Sequence, residues 1–250
     1  MVGQPFLACF LLFAAVVITM EIGRRLGRNS EDTPGAGAVN GAIFAILGLV
    51  LAFSFSGAAS RFDQRRDLIV QEANDIGTAY LRVDLAPLDA QPALRSAFKR
   101  YIDARSEAYA SAGDDAAFRA RLNKANKISQ EIWDAAVAAG RRPDAQPAVN
   151  IMLLPAINAM IDITATRAFM TLMHPPEIIR LMLIALALVA ALLAGIGFGG
   201  ARRQVWVHEL AFAVIMTMTI YITIDLEYPR AGFIRIDSFE NAVIDFNRNK

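Results

Sequence analysis

Apolar residues run without a single charge over 1–20, 33–60 and 181–201, and the stretch 205–224 carries one carboxylate, Glu209. Each stretch is close to the roughly 20 residues that a helix rising 1.5 Å per residue needs to cross a ~30 Å hydrocarbon core. Lipid offers backbone amides no partner, so such segments close their hydrogen bonds internally, as helices. The pattern predicts four spans, at about 5–22, 40–59, 177–198 and 205–224. A short linker over 23–39 suits two antiparallel helices. The second span meets no Pro or Gly cluster at its end, and its pattern continues past Arg61, Phe62, Arg65 and Arg66, which predicts one long helix leaving the bilayer.

Between the second and third spans the pattern changes from uniformly apolar to amphipathic. Phe62, Ile69, Ala73, Ile76 and Tyr80 recur at helical spacing as far as Pro87. Leu94, Phe98 and Tyr101 form a second stripe, and Phe118, Leu122, Ala125, Ile128 and Ile132 a third. Turns are expected at 111–115 and 140–144. A fourth, more apolar helix over 147–172 contains Pro155, which predicts a kink or a late start. His174-Pro175-Pro176 breaks the chain before the third span, and no segment alternates long enough to read as a strand. The expected fold is all-α: a polytopic membrane protein with four transmembrane helices, two on either side of a helical extramembrane domain. The boundaries are 1–60 for the first pair, 61–176 for the domain, 177–227 for the second pair and 228–250 for a polar tail. Both termini then share a side of the membrane with the domain.

Composition sharpens this picture. Hydrophobic residues make up 55% of the chain and mean hydropathy is +0.38, against about 45–50% apolar for soluble domains. A net charge of +1 provides no field that would draw the chain to nucleic acid. One cysteine, Cys9, excludes an internal disulfide or a cysteine-based zinc site. Residues 1–20 lack a preceding positive region, and Arg24, Arg25 and Arg28 follow them, which reads as a retained anchor rather than a leader. Arginines flank the membrane on both sides: Arg24, Arg25, Arg28, Arg202 and Arg203 against Arg61, Arg65, Arg66, Arg180, Arg230 and Arg235. Charge alone therefore leaves orientation open. With two histidines and no metal-ligand, nucleophile or phosphate-loop motif, the sequence predicts no enzyme, no cofactor and no metal site.

The stretch LAFSFSGAASRFDQRR, residues 51–66, followed by EANDIGTAY over 72–80, resembles the bestrophin-like domain family of bacterial membrane proteins. Asp162-Ile-Thr-Ala-Thr-Arg167, the His174-Pro175-Pro176 break and the segment DLEYPRAGFIR over 225–235 fit the same family. The resemblance covers about 41–235. A more distant similarity links the chain to bestrophins, which are pentameric anion-selective channels, through Phe53, Arg61, Phe62 and Arg66 at matching spacing. It implies a homo-oligomer, a pentamer if the likeness carries through, that passes small ions along a pore lined by the second span. Ala45, Leu49 and Phe53 would line it, with Arg61, Phe62 and Arg66 at its mouth. Ala45 is small where the family constriction is bulky, and Ser54, Phe55 and Ser56 replace the polar residues that follow the matched Phe. The resemblance also implies a bacterial inner membrane with the domain on the cytoplasmic side.

Several residues carry two readings. Residues 45, 49 and 53 share one helix face; such a face contacts lipid or packs, or lines a pore that gates by dewetting. Gly41, Gly48 and Gly57 with neighbouring alanines suggest that the second span packs centrally. Arg61, Arg65 and Arg66 are interfacial anchors or a basic ring that concentrates anions. Glu209 lies at an interface or takes part in ion or proton transfer. Asp225, Glu227 and Arg230 suit a clamp on Arg61 or Arg65, and Asp162 and Arg167 a satisfied pair in a helical core. Two functions compete: an oligomeric ion channel, and a membrane-anchored scaffold or sensor whose helical domain binds a protein partner.

Overall fold

In the computed structural model, residues 3–28, 35–111, 114–173, 175–199, 206–228, 233, 234 and 236 are described. Among them the chain is helical, with no strand: α1 (Gly3–Gly27), α2 (Ala36–Arg82), α3 (Gln91–Ala110), α4 (Asp115–Gly140), α5 (Leu154–Leu172), α6 (Glu177–Gly197) and α7 (Trp206–Glu227). Four stretches are long and apolar enough to cross a membrane: Phe6–Gly27, Ala36–Leu85, Val149–Gly197, which contains α6, and Trp206–Glu227. The protein is an all-α polytopic membrane protein.

The chain divides into two compact units. One is formed by Met1–Phe62 and His174–Ile234, and the other is built on Asp63–Met173. In the first, α1 packs on α6 and α7 through Val16, Met20, Ala191 and Ala213, with Leu12, Phe13, Leu188 and Phe212 around them. Glycine makes that approach possible. A Cβ on Gly23 would strike the Leu192 carbonyl, one on Gly195 the Met20 carbonyl, and one on Gly199 the backbone of Gly27. The two backbones touch, as close helix pairs in lipid do when small residues line their seam.

The sequence placed such packing on the second span, and the structure moves it. Gly41 and Gly48 have nothing within 4 Å of the position a Cβ would take. The first helix also runs further than the expected span, to Gly27. Glu21 accepts from Arg24 and Arg25 at 2.8 Å each, an i,i+3 and an i,i+4 pair that extend the helix. The linker before α2 is shorter accordingly, and residues 29–34 lie outside the described residues.

The second unit has its own core. Ile76, Ala79 and Val83 meet Leu94, Phe98 and Tyr101, with Ile132, Leu153, Ile157 and Met160 closing it. A second cluster holds Ala108, Tyr109 and Phe118 against Leu122 and Leu172. Local signals start and stop these helices. The Asp114 side chain accepts from the amides of Ala116 and Ala117 at 3.0 and 3.1 Å, capping α4. Residues 147–148 are helical and a five-residue π turn, Val149–Leu153, runs straight into α5, so the wider turn just before Pro155 accommodates its ring and missing amide. The helix is therefore under way from 147, as expected for 147–172, and it is the wide π turn rather than a late start that answers Pro155. One stripe of α2 is buried along its C-terminal half: Ala58, Arg65, Ile69, Glu72, Ile76 and Ala79, in steps of three, four and seven, and Val83 just past the helix end continues it.

Candidate functional site

Helix α2 turns its other face outward. Leu49 is 57% exposed and Phe53 70%, and Ala45 is exposed on the same face one turn before. These three side chains stack along the helix because positions four apart are neighbours. Among the described residues this apolar face stays largely exposed.

Where the spans end, charge is carefully matched. Arg61, half-buried, lies against Gly57, where a Cβ would come within 3.3 Å of its guanidinium. From there Nε donates to both carboxylate oxygens of Glu227, at 2.9 and 3.1 Å, and Nη2 donates to Oε1 as well. Glu227 is 6% exposed. Asp225, equally buried, accepts from the amides of Phe233 at 3.0 Å and Ile234 at 2.8 Å. The Phe233 ring then stands edge-on to Phe6 at 4.7 Å and to Tyr221 at 5.9 Å. So Glu227 ties α7 to α2, while Asp225 folds the following chain back over α1 and α7. Arg230 lies outside the described residues.

The three arginines that end the second span have three different surroundings. Arg61 is paired as above. Arg65 is buried and donates to the Met170 and Met173 carbonyls at 3.2 and 3.1 Å, satisfying acceptors that the end of α5 leaves open. Arg66 is exposed and has Asp63 at 3.8 Å. Phe62 is half-buried. At the opposite end of the span bundle, Glu209 has Arg24 at 3.7 Å.

Beside the Arg61–Glu227 pair is a cavity of about 400 Å³ among α2, α6 and α7. Val50, Phe53, Met182 and Ile224 are among its walls, and Arg61, Glu177, Arg180 and Glu227 stand around it. Arg180 donates to Glu177 at 2.8 Å.

The second unit contains a polar constellation that the sequence did not reveal. Glu72 is 2% exposed and accepts from Arg105 Nε at 2.7 Å; the Arg105 Nη2 atom approaches the same oxygen at 2.6 Å. Arg167 Nη1 donates to the other oxygen. Both guanidiniums lie over the Tyr109 ring, at 4.7 and 3.6 Å from its centroid, and Arg105 also donates to the Tyr109 hydroxyl at 2.9 Å. Nearby, the Tyr101 and Thr164 hydroxyls are 2.7 Å apart. Burial alone would push the Glu72 carboxyl up, but the charges and hydrogen bonds of Arg105 and Arg167 overcome it and hold the group below the usual carboxylate range. Burial pushes the Tyr101 phenol up to about 12. Asp75 is raised by burial and by the neighbouring Glu72 charge.

This constellation corrects one expectation. Arg167 reaches Glu72, whereas Asp162 is exposed and accepts from Asn158 at 2.8 Å. Five positions apart on α5, the two residues occupy different faces. Glu72 was visible as a carboxylate on the Ile69–Ile76 stripe; its partners, 33 and 95 positions away, carried no local signal.

Against known proteins, a family model described as "Bestrophin-like domain" matches residues 8–239. No curated protein and no solved structure matches the chain.

Proposed function

Because the chain belongs to the bestrophin-like domain family, we propose that it is the subunit of an oligomeric ion channel whose second span lines the pore. Ala45, Leu49 and Phe53 form its apolar narrow section, and Arg61, Phe62 and Arg66 lie at its mouth. The observation that carries this reading is the outward apolar face of α2. Leu49 and Phe53 stand more than half exposed on a helix whose opposite stripe is buried. A symmetric ring of copies gives that face an environment, and a ring of apolar side chains narrows and dewets a conduit. In this reading the subunits sit in a bacterial inner membrane with Asp63–Met173 and both termini on the cytoplasmic side. Arg61, neutralised by Glu227, contributes geometry rather than field, and Asp63 beside Arg66 weakens the pull of Arg66 on anions.

Purified protein reconstituted in planar bilayers tests the proposal. Unitary currents from a defined oligomer are expected, with Leu49→Ala and Phe53→Ala changing conductance or gating while subunit number stays unchanged. Monomeric particles, or silence in every salt tried, would refute it.

A specific observation favours a second reading, the membrane-anchored scaffold or sensor. The second unit displays a groove of about 610 Å³ bordered by Ile76, Tyr80, Leu81 and Ile102. Leu81 is 67% exposed. Such a surface fits an amphipathic helix of a protein partner. Leu81→Asp would abolish partner capture while sparing assembly; if it altered only the subunit count, the groove would belong to the oligomer.

A further inference from the structure

The cavity among α2, α6 and α7 has two chemically different parts. Along the spans its walls are Val50, Phe53, Met182 and Ile224, an apolar slot open on the side of the exposed Phe53 and Met182, which water leaves readily. Its polar residues gather at one end. Glu177 and Arg180 belong to the first turn of α6, and Glu227 to the last turn of α7. Helix termini of membrane spans lie at headgroup depth, so the slot opens upward from hydrocarbon into the interface.

The charges at that rim decide what fits. Two guanidiniums face two carboxylates, so the rim has no net sign and gives an anion no advantage. The two pairs also differ in how firmly they are made. Arg61 and Glu227 are locked together with Glu227 almost buried, so they form a wall. Arg180 and Glu177 are a surface pair, with side chains 39% and 73% exposed, and such pairs hold weakly in water. A headgroup that brings one positive and one negative group can displace that pair and satisfy both partners.

We propose that this slot binds one zwitterionic phospholipid of the phosphatidylethanolamine class. An acyl chain lies along Val50, Phe53, Met182 and Ile224, the phosphate pairs with Arg180, and the ammonium pairs with Glu177. About 400 Å³ is within the size range of sites that enclose most of a small ligand. Phe53 belongs both to this slot and to the proposed pore face, so the bound chain touches the residue that narrows the conduit. The lipid assignment does not rest on conduction, because binding is read in detergent without any current.

The test uses the full chain, purified in dodecyl maltoside and stripped of lipid by extended washing. Native mass spectrometry then follows titration with phosphatidylethanolamine, phosphatidylglycerol or oleate in mixed micelles. The expected result is one retained phosphatidylethanolamine per chain, with phosphatidylglycerol and oleate several-fold weaker. Met182→Trp fills the slot and should lower retention by about tenfold or more, since several buried methylenes are lost. Leu181→Trp, one residue away and outside the slot, should leave retention unchanged. Ser54→Phe intrudes from the α2 wall and repeats the test should Met182→Trp fail to fold. Arg180→Ala with Glu177→Ala should erase the preference for phosphatidylethanolamine over phosphatidylglycerol. Equal retention of both lipids by the unmodified chain, or retention indifferent to both slot-filling variants, would overturn the assignment. So would slot-filling variants that change subunit number but not lipid retention, because a second copy would then occupy the slot.

Discussion

Glu72→Ala strips two guanidiniums of the carboxylate they share. The side chains of Glu72, Arg105 and Arg167 are 3%, 5% and 9% exposed, so water cannot take the place of the missing charge. Removing one member of such a buried set costs about 3–5 kcal/mol, most of it the penalty of leaving a charge unpaired. At about 2–4 °C per kcal/mol for a chain of this size, the melting temperature should fall by roughly 6–20 °C. Arg105→Leu should cost less, because Glu72 keeps the Arg167 guanidinium. Combining the two should cost less than their sum, a coupling that a double-mutant cycle isolates. The assay is thermal loss of the monodisperse peak in size-exclusion chromatography of the full chain in detergent. The pH dependence has a definite sign. The folded Glu72 carboxyl lies below its ordinary range, so its contribution is complete above the unfolded value and disappears as pH falls through the folded one. The deficit of Glu72→Ala should therefore be largest near neutrality and shrink in strong acid. A melting temperature within about 2 °C of the unmodified chain at pH 7, below the shift expected from even 1 kcal/mol, would refute the reasoning.

Three further outcomes follow from packing. Gly195→Ala places a methyl group against the Met20 carbonyl and should destabilise the α1–α6 seam by about 1–3 kcal/mol, whereas Gly48→Ala, which meets open space, should be near neutral; melting in detergent separates them. Glu227→Arg should destabilise the chain by leaving Arg61 beside a like charge, and adding Arg61→Glu should recover part of the loss in the same assay, unless the clamp is irrelevant to folding. Asp114→Ala should cost about 1 kcal/mol through the lost cap of α4, and Asp114→Asn should retain most of it, as urea titration of helical circular dichroism would show.

The membrane class was legible because it follows from uncharged length alone, which no tertiary contact overrides. The irregularity before Pro155 was legible because proline has no amide to give the preceding turn. The Arg61–Glu227 clamp was half legible: both charges end apolar runs, but which acidic residue meets which arginine depends on how α7 approaches α2. Glu72 with Arg105 escaped because polar residues on amphipathic helices ordinarily face water. Only the phase of the α2 stripe, which sets Arg65 and Glu72 among Ile69 and Ile76, betrays their burial. The glycine seam escaped for a related reason. Small residues are more numerous on α2 than on α1, and number does not tell which of them meets another backbone.

That seam joins segments made far apart in time. Gly23 and Gly27 meet the backbone of residues 192–196, about 170 residues later, which at 5–20 residues per second is roughly 9–34 s of translation. Until then the first span lies in the bilayer with its glycines bare and no matching helix to receive them. Nascent chains halted before α6 should consequently recruit whatever holds unpaired spans at the insertion site, and release should coincide with the emergence of Gly195.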